Sequence, residues 1–214
     1  YAFEGCSKLR EINLPKTLRE LPESLFSGCS FQKVVIPSNV KYIGPSAFSN
    51  CAALKQVVFE TSSSLREIGG MAFMDCVSLR EIKLPDSLEV IGYSAFSSSK
   101  QLTKVIFGKD SRLKEIGSNV FYECISLKKI TIPKKVKKIE KYAFYKCKNL
   151  KKITFLGSAP KLGKGVFQNI NGRASFYIQK KYKTKYKKVL TAKSGYRAEK
   201  MGIRFLYCSV TAVT

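Results

Sequence analysis

Residues 79–96 read LREIKLPDSLEVIGYSAF. Ile82 and Leu84 alternate with Glu81 and Lys83, the period-2 signature of a strand with one buried face. Pro85 has no donor for a ladder and ends the strand. A second apolar pair, Leu88 and Ile91, leads into Gly92, where a tight corner with positive φ is predicted. Ala95 places a small residue before Phe96, and a short turn or a single helical turn is predicted there.

Working outward, the same unit recurs along the whole chain. Its phenylalanine appears at Phe3, Phe26, Phe48, Phe73, Phe96, Phe121, Phe144 and Phe167, at spacings of 23, 22, 25, 23, 25, 23 and 23 residues. A fixed period means one supersecondary unit copied and stacked, because a unit this short cannot bury its own apolar face. The third residue after the phenylalanine is Cys6, Cys29, Cys51, Cys76, Cys124 or Cys147, with Ser99 and Ile170 as exceptions. Strand pairs recur from Ile12/Leu14 through Val34/Ile36, Val57/Phe59, Val105/Phe107 and Ile130/Ile132 to Ile153/Phe155. Gly44, Gly69, Gly117 and Gly163 repeat the corner of Gly92. Repeats without the proline carry extra residues at 60–64 and 108–112, which maps insertion to a loop on one edge. Eight coils would stack to about 40 Å.

The unit of residues 79–96, with the Cys-x-x-Leu that follows the phenylalanines, resembles the BspA-like (Treponema pallidum-type) leucine-rich repeat over about residues 1–170. The resemblance implies a leucine-rich-repeat solenoid of about eight coils of 22–25 residues. A parallel β-sheet lines its concave side, and short turns or single helical turns line its convex side. It also implies a non-enzymatic, extracellular or cell-surface binding module that adheres to a protein or glycan on a host or microbial surface.

The repeats are expected to fill residues 1–172, with a small strand-helix C-terminal cap over 173–214. Residues 174–178 read as a strand and 203–206 as a final one. Tyr182, Tyr186, Val189 and Leu190 fall at helical spacing among lysines, giving one apolar stripe. The chain opens at Tyr1-Ala2-Phe3, already inside a repeat. The start reads as a cut, with a signal peptide and earlier repeats expected upstream.

The formal charge is +24, and it is unevenly spread. Residues 1–107 hold 12 Lys/Arg against 10 Asp/Glu, and residues 108–214 hold 27 against 5. Lys128, Lys134, Lys135, Lys137, Lys138, Lys141, Lys148 and Lys151 are expected to merge into one basic patch as coils stack. Two readings stand for it: a field that attracts an anionic polymer such as a glycosaminoglycan or wall polymer, or the solvated surface of a Lys-rich protein. No nucleic-acid motif accompanies the lysines.

Outward strand positions are the second candidate surface: Lys33, Val35, Gln56, Val58, Glu81, Lys83, Lys104, Ile106, Lys129, Thr131, Lys152 and Thr154, preceded in the first coil by Glu11 and Asn13. Val35, Val58 and Ile106 are apolar at exposed places, the mark of an interaction surface or simply of good strand formers. The chain has no His and no Trp. Coils in register set equivalent Cβ atoms about 4.8 Å apart, against about 3.8 Å in a disulfide. The cysteine row therefore reads as packed thiols and not as a metal or redox ladder. No metal, cofactor or catalytic residue is assigned, Glu81 and Asp86 being the carboxylates available for acid–base work. A monomer is expected, with no transmembrane segment and no specific nucleic-acid partner. A passive spacer presenting another domain is the remaining alternative.

Overall fold

The computed structural model describes residues 2–196 and 201–206. Positions 197–200 and 207–214 of the expected cap, Cys208 among them, lie outside the described residues. The sequence period becomes a parallel solenoid in which each coil contributes two strand positions. Four-residue strands at 33–36, 56–59, 81–84, 104–107, 129–132 and 152–155 form one face. Their inward residues are aliphatic or aromatic and buried, apart from the half-buried Phe59 and Phe107, as in Lys33–Ile36, where exposed and buried residues alternate.

The last residue of the second apolar pair and the residue before it also form a strand, which the sequence reading missed. Two-residue strands from Glu20–Leu21 to Lys161–Leu162 join seven coils in one unbroken parallel sheet. The long-strand face is instead laddered in sections: 33–36 with 56–59, 81–84 with 104–107, and 129–132 with 152–155, Ser175–Gln179 and Gly202–Leu206. Both seams follow a coil carrying an insertion, where the step between successive strands rises from 23 to 25 residues. No strand forms at residues 11–14. Ile12 and Leu14 pack on the core, but Arg10 to Asn13 stand across an open cleft from Gln32, Lys33 and Val35.

The phenylalanines stack face to face from Phe3 to Phe167, with successive ring centroids 5.1–5.7 Å apart. Each such pair adds about 0.5–1.5 kcal/mol beyond the area it buries. The backbone follows the same spine. Phe26, Phe48, Phe73, Phe96, Phe121 and Phe144 each donate their N–H to the residue before the next phenylalanine, at 2.8–3.0 Å. Two residues on either side, the chain takes positive φ, as at Ser46 and Asn50, Ser94 and Ser98, and Asn119 and Glu123. Their N–H groups also reach the next coil, while those between close turns within their own coil. After glycine, Asn and Asp visit the left-handed region with least cost, while Met71, Glu123, Tyr142 and Lys146 adopt it with the same N–H bond to the next coil.

Positive φ therefore belongs to these residues and not to Gly44, Gly69, Gly92, Gly117 and Gly163, a correction to the sequence reading. The glycines are required by close approach. A Cβ on Gly92 would lie 2.7 Å from the Gly70 nitrogen, and one on Gly163 would lie 2.4 Å from the Lys141 nitrogen. The approach lets the Gly92 N–H donate to Ile68 at 2.7 Å. The coil that carries Glu140 at this place keeps its bond to Ile116 at 2.9 Å.

At the far end the sheet continues through Ser175–Gln179 and Gly202–Leu206. A helix over Lys183–Val189 buries Tyr186, whose hydroxyl donates to the Gly157 carbonyl at 3.0 Å. Gly165 and Phe167 donate to Lys193 and Ser194, so this segment receives the N–H groups that another coil would otherwise take. No helix among the described residues is long and apolar enough to cross a membrane.

Candidate binding surface

All the outward positions of the long strands face solvent, but not equally. Val35 is exposed, while Val58, Ile106 and Thr154 are half-buried. Register sets Val35 beside Val58, Lys83 beside Ile106, and Thr131 beside Thr154. The three apolar residues thus form a pair and a separate single, with Lys83 between them. One row over, Lys33 faces Gln56, Glu81 faces Lys104, and Lys129 faces Lys152. Glu81 and Lys104 form an exposed ion pair at 3.3 Å, an arrangement worth at most about 1 kcal/mol. The inward positions stay apolar, while the outward pairs run Lys-Val, Gln-Val, Glu-Lys, Lys-Ile and then Lys-Thr twice.

A two-strand coil, a stacked phenylalanine and a buried cysteine position are the parts of a known repeat. Six copies of the pattern described as the BspA type leucine-rich repeat region match residues 1–103 and 66–194. The chain belongs to this family. Its solenoid is similar to the crystal structure of the T. pallidum leucine-rich repeat protein, at 31% identity over 84% of this chain and 80% of that one, with a TM-score of 0.65. A leucine-rich cell surface protein from Faecalibacterium prausnitzii is 22% identical over 95% of this chain and 55% of that one, with a TM-score of 0.48. No curated protein matches.

In this BspA-type solenoid the cysteine row is a hydrogen-bonded column. Cys29, Cys51, Cys76, Cys124 and Cys147 each point the thiol at the carbonyl of the phenylalanine one coil back, with sulfur–oxygen distances of 3.0–3.2 Å. Ser99 makes the same bond to Phe73 at 3.1 Å, which explains the exchange. Burial pushes these thiols up, Cys51 to about 12, so the reactive thiolate is suppressed. The described cysteines are all free, and among the described residues no group of His, Cys, Asp and Glu is placed to hold a metal.

The lysines do not merge into one face. Lys128 and Lys151 border the long strands, Lys134 and Lys135 lie on the following turn, Lys137 and Lys138 on or beside the short strand, and Lys141 and Lys148 on the turn side. A 23-residue coil carries its lysines around its whole perimeter, so the basic half is a collar. Several are already neutralised. Lys138 binds Glu140 and Glu115, which hold its pKa up, and Lys114 binds Glu89, whose carboxyl is lowered mainly by that hydrogen bond. Lys146 contacts Glu123 at 2.7 Å beside the stacked Tyr122 and Tyr145 rings, a cluster the sequence reading missed. Its signal was tyrosine recurring one place after Phe121 and Phe144.

Proposed function

We propose that this chain is a non-enzymatic, surface-exposed binding module that recognises a macromolecule on a host or microbial surface through the outer face of its long strands. The observation that carries the reading is the division of labour within each strand. Inward positions hold an apolar set throughout, from Val34 and Ile36 to Ile153 and Phe155, while the outward pairs differ over the first four long strands and repeat as Lys-Thr only in the last two. Curved solenoids use such a face for extended contact. Of the two carboxylates among the outward positions, Glu11 lies where no strand forms, and Glu81 is tied to Lys104, which suits recognition better than acid–base chemistry. Residues 173–214 act as the cap in this reading, and the module works as a monomer outside the cell.

The test uses the purified chain on fixed epithelial cells and on whole bacterial cells. The triple variant Val35→Ser, Val58→Ser, Ile106→Ser leaves the charge unchanged and is expected to weaken retention about tenfold, as loss of central apolar contacts does. Its melting temperature should stay within a few degrees of the parent. Undiminished retention by the folded variant would remove this face from the account, and no retention by the parent chain would favour a spacer.

A further inference from the structure

Of the concave points in the basic half, one gathers four lysines. Between the turn at 133–137 and the segment 157–159 lies an open groove of about 410 Å³, lined by Lys114, Lys134, Lys135, Lys137 and Ser158, with Val136 and Ala159 below them. No carboxylate lines it. Gly157 permits the two segments to approach, since a Cβ there would sit 2.2 Å from the Lys134 carbonyl oxygen. Among the described residues Lys134, Lys135 and Lys137 form no ion pair, unlike Lys114, which Glu89 holds.

The chain supplies its own comparison. The turn after Pro85 places Asp86, Ser87 and Glu89 where the turn after Pro133 places Lys134, Lys135 and Lys137. The neighbouring groove on this edge accordingly carries Asp86, Glu89 and Asp110 among its basic residues, and Lys135 belongs to both grooves. The edge therefore changes from mixed charge to purely basic at this coil. Clustered ammonium groups in a concave site repel one another and are relieved by a multiply charged anion, whose local concentration the surrounding collar raises.

We propose that this groove seats the acidic groups of an extended anionic polysaccharide, with Lys134, Lys135 and Lys137 as its cationic partners and Ser158 as a neutral hydrogen-bonding partner. Two features set the polymer class. No aromatic ring lines the groove, so nucleobases find no stacking platform. The large exposed apolar side chains among the described residues are Phe3, Val35, Tyr93 and Ile125, none of which lines it to enter a bilayer. The site lies off the long-strand face, so its failure leaves the reading of that face standing.

Heparin and polygalacturonate, one sulfated and one purely carboxylated, serve as probes in calorimetric titrations of the full chain. A thymidine oligomer and phosphatidylserine-containing vesicles are the contrasting anions. Binding of either polysaccharide is expected to weaken about tenfold in Lys134→Gln, Lys135→Gln, Lys137→Gln, and to weaken steeply with added salt. The control Lys180→Gln, Lys185→Gln, Lys188→Gln removes the same charge from the C-terminal segment and should cost less than about threefold if the groove is the site. Equal losses in both triples would show a diffuse field and overturn the proposal. So would tighter binding of the oligomer or the vesicles than of both polysaccharides, or no polysaccharide binding at all. Melting curves identical to the parent's establish that each variant is folded.

Discussion

Phe96→Ala is expected to lower the unfolding free energy by about 3–5 kcal/mol, the usual cost of emptying a buried aromatic site. Phe96 is fully buried and stacks on Phe73 at 5.3 Å and on Phe121 at 5.6 Å, with rings within 7° of parallel. The truncation removes two ring contacts and leaves a void that the flanking backbones cannot close, because hydrogen bonds between coils fix their separation. Phe3 provides the internal control. It is 41% exposed and, among the described residues, stacks on Phe26 alone, so Phe3→Ala should cost about 1 kcal/mol or less. Urea unfolding followed by circular dichroism reads both. Equal losses at the two positions would contradict a stack whose strength depends on neighbours on both sides.

Tyr186→Ala is expected to cost a comparable 3–5 kcal/mol, roughly the same as any emptied aromatic site, but at one end of the molecule. The ring is fully buried, lies 5.0 Å from Phe155, and donates its hydroxyl to Gly157. Removing it uncovers the last coils and leaves a buried carbonyl unpaired. Tyr186→Phe removes the hydroxyl alone and should cost about 1 kcal/mol. Since each coil of a solenoid contacts only its neighbours, the damage should stay local. Limited proteolysis should cut first beyond residue 150 in Tyr186→Ala, with the coils around Phe48 and Phe73 resistant. A variant as resistant as the parent throughout would remove the C-terminal segment from its role as a cap.

The parts of this fold that were legible in the sequence are those in which one residue type recurs at one place. Phe26 to Phe167, the aliphatic strand positions and the cysteine row are read by repetition because every copy meets the same inter-coil environment. The short strands escaped because two residues are too few to show alternation. The glycine corners were located but misread. Their cause is a backbone in the neighbouring coil, which a local rule about φ cannot contain. Lysine placement failed for a related reason: Lys134 and Lys141 are close in sequence, but the coil carries them to different sides. The groove depends on Gly157 and Ser158 meeting residues more than 20 positions earlier, so only the stacked structure reveals it. The candidate outer face was legible because outward and inward positions follow from strand alternation alone.

The run of turns around the phenylalanines and the short-strand sheet hold the coils together, while the long-strand face is free to vary. Amide hydrogen exchange on the native chain tests it residue by residue. The N–H groups of Phe48, Phe73, Phe96 and Phe121 donate to the next coil and are buried, so they should exchange slowest, through opening of the whole stack. The amides of Glu81 and Lys129 begin strands that no ladder joins to the coil before, and they should exchange markedly faster. Rapid exchange at the phenylalanine amides, with slow exchange across both seams, would contradict the account.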